Sequence, residues 1–124
     1  MKAEYSNLFN SLKSLNVDTD GTISRFMGNE DIYVKFLAGY PEEDRMPPIY
    51  DALDSKDTDN LIMRVHKLKG VSGNLGMTSV YTRSEDAIKL LRAGTYDGVK
   101  EIITEIEADY CKICNTIKEN MPST

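Results

Sequence analysis

His66 is the only histidine in a chain of 124 residues. An imidazole keeps a nucleophilic nitrogen near neutral pH, so a transient bond to an electrophilic group is within its chemistry. Lys69 follows at i+3, the spacing that puts two side chains on one helical face. An ammonium there would steady an anionic group carried by the imidazole. Gly70, Gly73 and Gly76 come next, three residues apart. Glycine costs about 1 kcal/mol relative to alanine inside a helix. Glycines at helical spacing beside a lone histidine therefore suggest a surface that something must approach closely. The plain alternative is a solvated histidine, with the glycines serving helix packing.

Other chemistries fall away by inventory. With no second histidine there is no His/His metal site, and no phosphate-cradling G-x-x-x-x-G-K-[ST] loop occurs. Cys111 and Cys114 form a C-x-x-C, but a redox reading needs a βαβ pattern and a zinc reading needs a second ligand pair. They read as two reduced thiols on a helix, and nothing poises either one against His66. Asn16 to Ser24 overlays the first nine positions of an EF-hand loop, with oxygen side chains at one, three and five and Gly21 at six. The twelfth position, which should be a bidentate glutamate, is Met27. The stretch reads as a turn in which Asp20 or Thr22 caps the following helix. No metal ligand and no resident cofactor are expected.

The elements that must position His66 are helical throughout, with strand signals absent. Tyr5 to Leu15 carries Leu8, Phe9, Leu12 and Leu15 on one stripe. Short helices follow over Thr22 to Met27, and over Glu30 to Ala38 with Ile32, Phe36 and Leu37 beside Tyr33. Gly39 and Pro41 end the latter. After the polar PEEDRMPP segment, Pro48 suits the first turn of a helix over Ile49 to Leu53. Asp57 or Thr58 caps a central helix from Asp59 to Leu75, with Gly76 just beyond its end. Thr78 caps a helix to Arg92 that carries Val80, Ala87, Ile88, Leu90 and Leu91, and Gly94 closes it. Asp97 opens the last helix, to Asn120, with Val99, Ile102, Ile103, Ile106, Tyr110, Ile113 and Ile117 as its stripe.

At 100° per residue, Leu61, Val65, Leu68, Ser72 and Leu75 fall within about 40° of one direction. His66 lies about 140° from it, with Gly73 about 20° and Gly70 about 40° from His66. The histidine thus faces outward beside a strip poor in side chains. The pattern predicts an all-α fold, an antiparallel up-and-down four-helix bundle with short additional N-terminal helices. One domain spans 1–124, with the bundle over roughly 22–120 and an N-terminal helix over 5–15.

The net charge is −5, which argues against a nucleic-acid or anionic-membrane partner. Between Leu61 and Ser84, however, Arg64, His66, Lys67, Lys69 and Arg83 occur with no acidic residue. A locally basic face on an acidic protein suggests one acidic protein partner. No apolar run reaches membrane-spanning length and no signal peptide is evident, so a cytoplasmic location is expected.

The stretch His66-Lys-Leu-Lys69-Gly70-Val-Ser72-Gly73-Asn-Leu-Gly76 resembles the H-x-L-K-G-x-S-x-N-L-G signature of histidine-containing phosphotransfer (HPt) domains. Upstream, Arg25-Phe-Met-Gly-Asn-Glu-Asp-Ile-Tyr33 is similar to the R-F-x-G-[ND]-E-x-L-Y stretch of many bacterial members. The likeness runs from about Asn16 to the C-terminus. It implies that His66 accepts a phosphoryl group at Nε2 from the phospho-aspartate of a receiver domain and passes it to another receiver. It also implies that Lys69 stabilises the phosphoryl oxygens and that Gly70 leaves room for the receiver. Lys67 and Gly73 complete the expected partner-binding strip. Partners would be response-regulator receiver domains or a sensor histidine kinase, with Mg²⁺ on the receiver, and the chain would be a phosphocarrier without turnover of its own.

Many members have one long helix before the turn that precedes the histidine helix. Here Gly39, Pro41, Pro47 and Pro48 predict two shorter helices joined by a bend. Three other readings stand beside the carrier. One is a binding module that regulates a partner without phosphotransfer, and another is a calcium-binding helical protein using residues 16–24. The third is the phosphotransfer domain of a chemotaxis-type kinase. The start at Met1 favours a free-standing carrier over a piece of a hybrid kinase.

Overall fold

A computed structural model describes residues 2–122; Met1, Ser123 and Thr124, at the ends of the expected 1–124 span, lie outside the described residues. Among the described residues there are seven α-helices: α1 (Ser6–Ser14), α2 (Thr19–Arg25), α3 (Glu30–Gly39), α4 (Met46–Asp54), α5 (Thr58–Asn74), α6 (Thr78–Arg92) and α7 (Val99–Asn120). Helices α3 and α4 together form the first, broken arm of an antiparallel four-helix bundle. Helices α5, α6 and α7 form the other three, and α1 packs on α7. No strand is present among the described residues, only an isolated bridge between Val17 and Met77.

The expected stripes build the core. Leu61, Val65, Leu68 and Ser72 are fully buried on α5, as are Val99, Ile103, Ile106, Tyr110, Ile113 and Ile117 on α7. Cys114 is buried beside that stripe and Cys111 is exposed, both as free thiols. Burial pushes the Cys114 thiol up to about 11, so it stays protonated and inert.

The break between α3 and α4 is built around Tyr40. Its ring is buried edge-on against Tyr110, with ring centroids 5.4 Å apart. Arg45 Nη1 donates to the Tyr40 carbonyl at 2.7 Å and to the Tyr110 hydroxyl at 3.1 Å, and that hydroxyl donates to the Glu43 carbonyl at 2.7 Å. Carbonyls freed by the break thus find donors, as buried backbone requires. Both Pro47 and Pro48 sit in the first turn of α4, where a missing N–H costs nothing.

Several local expectations are corrected. Helix α2 starts at Thr19, and its cap is Asp18, which accepts from the Gly21 N–H at 3.0 Å; Asp20 and Thr22 lie inside the helix. The segment that overlays an EF-hand loop is therefore helix from Thr19 onward: Asn16 and Asp18 precede α2, Asp18 is engaged as its cap, and Asp20 lies within it. Thr78 is the first residue of α6 and does not cap it; its hydroxyl donates to the Gly76 carbonyl at 3.3 Å. Helix α7 begins after Gly98, at φ +82°, and Asp97 lies before it with its N–H bound to the Thr95 hydroxyl at 3.0 Å. On α3 the buried residues are Tyr33, Val34 and Leu37, whereas Ile32 and Phe36 are 41% and 54% exposed. The rotation is set by Tyr33, whose ring stacks on Phe9 and whose hydroxyl donates to the Leu75 carbonyl at 2.9 Å.

Candidate functional site

Helix α5 is fixed at both ends. At its start Asp57 accepts from the Asn60 N–H at 3.4 Å, which satisfies one orphan donor. At its end Gly76 takes φ +80°. The Met77 N–H reaches the Ser72 carbonyl at 2.9 Å, and the Gly76 N–H reaches that of Gly73 at 3.3 Å. This is the paired closure that a left-handed C′ glycine permits. A Cβ on Gly76 would come 2.5 Å from the Asp18 carbonyl oxygen, and the Asp18 N–H donates to the Gly76 carbonyl at 2.9 Å.

Two residues of the upstream motif tie into the same end. Arg25 Nη2 donates to the Gly73 carbonyl at 3.2 Å, and Tyr33 donates to that of Leu75. Between them, Gly28 takes φ +78° and Asn29 caps α3 by accepting from the Ile32 N–H at 3.1 Å. Phe26 stacks on Phe36 with centroids 5.6 Å apart. The Arg25–Tyr33 stretch is thus a brace for the C-terminal end of the histidine helix. Burial raises the Tyr33 and Tyr40 phenols well above the usual tyrosine value. Both therefore serve as neutral hydrogen-bonding groups, Tyr40 sharing a 2.7 Å bond with the Ser72 hydroxyl.

With the apolar stripe turned inward, His66 is exposed on the opposite face, and among the described residues its imidazole makes no hydrogen bond and no ion pair. Lys67 is exposed next to it, and Lys69 is half-buried on the same helix. The Lys69 ammonium has no carboxylate partner among the described residues; it lies 5.4 Å from the centroid of the Tyr81 ring.

The two glycines of the strip differ. A Cβ on Gly70 would meet nothing within 4 Å, so that stretch of helix is open. A Cβ on Gly73 would stand 2.8 Å from Cδ2 of Tyr81. The expectation that Gly73 lies in a track free of side chains is therefore corrected. The ring stands against it, so the lack of a side chain there admits α6, although Gly73 still lines a hollow beside Gly70.

Hollows flank the Gly70–Asn74 ridge. On the α3 side one of about 600 Å³ is lined by Phe26, Phe36, Tyr40, Val71 and Leu75, with Arg25 and Arg45 at its polar edge. On the α6 side one of about 410 Å³ runs from Gly70 and Gly73 to Thr78 and Tyr81. Beyond the first hollow Met27 is 93% exposed, in a left-handed conformation at φ +60°. Ile32 and Phe36, one turn apart on α3, are exposed as well, although periodicity alone counted them toward the core.

Among the described residues no group of three or more His, Cys, Asp or Glu side chains converges as metal ligands. Among them, too, no helix is long and apolar enough to cross a membrane. A family model described as Hpt domain matches residues 42–116, a range that begins after the Arg25–Tyr33 stretch. No curated protein and no solved structure matches the chain.

Proposed function

Since the chain belongs to the Hpt domain family, whose members act in histidine phosphotransfer within phosphorelays, we propose that His66 is its phospho-acceptor. The observation that carries this reading is the exposed imidazole, outside every intramolecular hydrogen bond among the described residues and one turn before an open Gly70.

In this reading the donor is the phospho-aspartate of a receiver domain. The lone pair of Nε2 forms the P–N bond as the P–O bond to the aspartate breaks, and the leaving carboxylate keeps the electron pair. The receiver brings its own aspartates and a Mg²⁺ ion to offset charge on the transferring group. This chain brings the nucleophile, held on a braced helix, and the Lys69 ammonium at i+3 to meet the phosphoryl oxygens. The reverse step, to the aspartate of a second receiver, regenerates the free imidazole. The chain is then a carrier without turnover, working in the cytoplasm, with receiver domains or a sensor histidine kinase as partners.

Gly70 gives the receiver backbone-level access to the helix. The basic run Arg64, Lys67 and Lys69 complements a carboxylate-lined receiver site. The exposed side chains of Met27, Ile32 and Phe36 offer apolar area to bury on docking.

The test is incubation with a phosphorylated receiver and Mg²⁺. Wild type should gain a base-stable, acid-labile phosphate, and His66→Gln should gain none. Equal labelling of the variant, or no labelling of wild type by any receiver of a cognate panel, overturns the reading. Receiver binding without labelling would identify a regulatory binding module instead.

A further inference from the structure

The Lys69 ammonium faces an aromatic ring rather than a carboxylate, and the ring has a fixed seat. Tyr81 stands in the first turn of α6, where its N–H donates to the Met77 carbonyl at 3.0 Å. One edge of the ring rests on Gly73, at a distance no other residue type would permit. Its centroid lies 5.4 Å from Lys69 Nζ, within the range of a cation–π attraction. The ring is 37% exposed, so the ammonium is held at the water boundary rather than buried.

A lysine side chain on a bare helix would sample many rotamers, and a carboxylate partner would neutralise the charge that a phosphoryl group needs. An aromatic face does neither. It restrains the ammonium while leaving its hydrogens free to be taken by a stronger, anionic acceptor. It also holds the lysine stem toward α6, away from the open surface at Gly70.

We propose that Tyr81 is a positioning residue for Lys69. Its ring, seated on Gly73, keeps the ammonium on the α6 side of the strip, and the ammonium turns to the phosphoryl oxygens when His66 is loaded. The role rests on the carrier reading above, and the Tyr81 hydroxyl has no part in it. Loss of the ring should slow phosphoryl transfer from a receiver about two- to fivefold, the scale of one exposed cation–π contact.

The experiment compares wild type, Tyr81→Phe and Tyr81→Leu, each with Lys69 and with Lys69→Gln. NMR of the unphosphorylated proteins reads the Lys69 ε-methylene, which should be shifted upfield by the ring in wild type and Tyr81→Phe and at the ordinary lysine position in Tyr81→Leu. Transfer should be equal for wild type and Tyr81→Phe, slower for Tyr81→Leu, and the same for all three residues at position 81 once Lys69 is glutamine. Gly73→Ala, which displaces the ring without removing it, provides a second variant if Tyr81→Leu melts at assay temperature. It should move the ε-methylene toward the ordinary position. An unshifted ε-methylene in wild type, or a Tyr81→Leu defect that persists with Lys69→Gln, overturns the proposal. A wild type that takes no phosphate overturns the carrier reading, and with it this role. The NMR shift reports the Lys69–Tyr81 contact independently of either.

Discussion

Arg25 and Gly73, 48 residues apart, are joined by a 3.2 Å hydrogen bond from guanidinium to carbonyl. The cation sits at the negative end of the histidine helix, where charge and dipole agree. Arg25→Met should lower stability by about 1 kcal/mol, read as a lower urea midpoint at unchanged slope. Arg25→Lys should recover only part, because an ammonium lacks the planar fork. Unchanged midpoints in both would mean that the brace contributes nothing.

Gly70→Ala separates stability from function. No atom stands within 4 Å of the added Cβ, so helix propensity should raise stability by up to about 1 kcal/mol. The same methyl intrudes on a docked receiver, and a misfit worth about 1–3 kcal/mol slows transfer about 5- to 150-fold. A thermal melt and a transfer assay on one preparation check both directions. A stabilised variant that transfers as fast as wild type would falsify the assignment of Gly70 to the docking surface.

Gly76→Ala should behave in the opposite way. The residue sits at φ +80° and the Cβ would meet the backbone oxygen of Asp18, which cannot move aside as a side-chain tip could. A loss of about 2–4 kcal/mol is expected, with the melting temperature falling well below that of Gly70→Ala. A melt within a degree or two of wild type would show that the 17–18 segment yields freely.

Alkaline pH should unfold the protein through its tyrosines. Burial holds the Tyr33 and Tyr40 phenols above the ordinary value, and the Asp31 carboxylate, hydrogen-bonded at 2.6 Å, pushes Tyr5 up to about 12. A phenol raised in the folded state contributes stability that is complete below the unfolded value of about 10. That contribution is lost as pH rises through the folded value, so the Tyr5 share fades between about 10 and about 12. The melting temperature should hold to about pH 9.5 and fall above 10, and Tyr5→Phe should flatten part of the fall. A melting temperature level through pH 11 would contradict this.

The helices and their inward faces were legible wherever a stripe was long. The α5 and α7 patterns run over four turns or more, so periodicity outweighs any single residue. On α3, ten residues long, two apolar sets compete, and the choice was made by Phe9 and Leu75, which are distant in sequence. Cap assignments slipped by one to four residues, most at α2, where Asp18, Asp20 and Thr22 are all competent caps and the structure selects Asp18. At the candidate site the outward direction of His66 follows from helix geometry alone. The difference between Gly70 and Gly73 does not, since it depends on where α6 places Tyr81. Ser72 reads in sequence as a small packing residue, whereas its hydroxyl also answers Tyr40 across the broken helix.

Met27, Ile32 and Phe36 are exposed on the loop after α2 and on α3, whereas the histidine and the lysine sit on α5, which exposes Met63 as well. On the proposed reading, reactivity is written on α5 and part of the address on another helix. On the proposed carrier reading, substitutions at Met27, Ile32 or Phe36 would change the docking surface without replacing His66 or Lys69, so a carrier could drift toward a new receiver without relearning how to hold a phosphate.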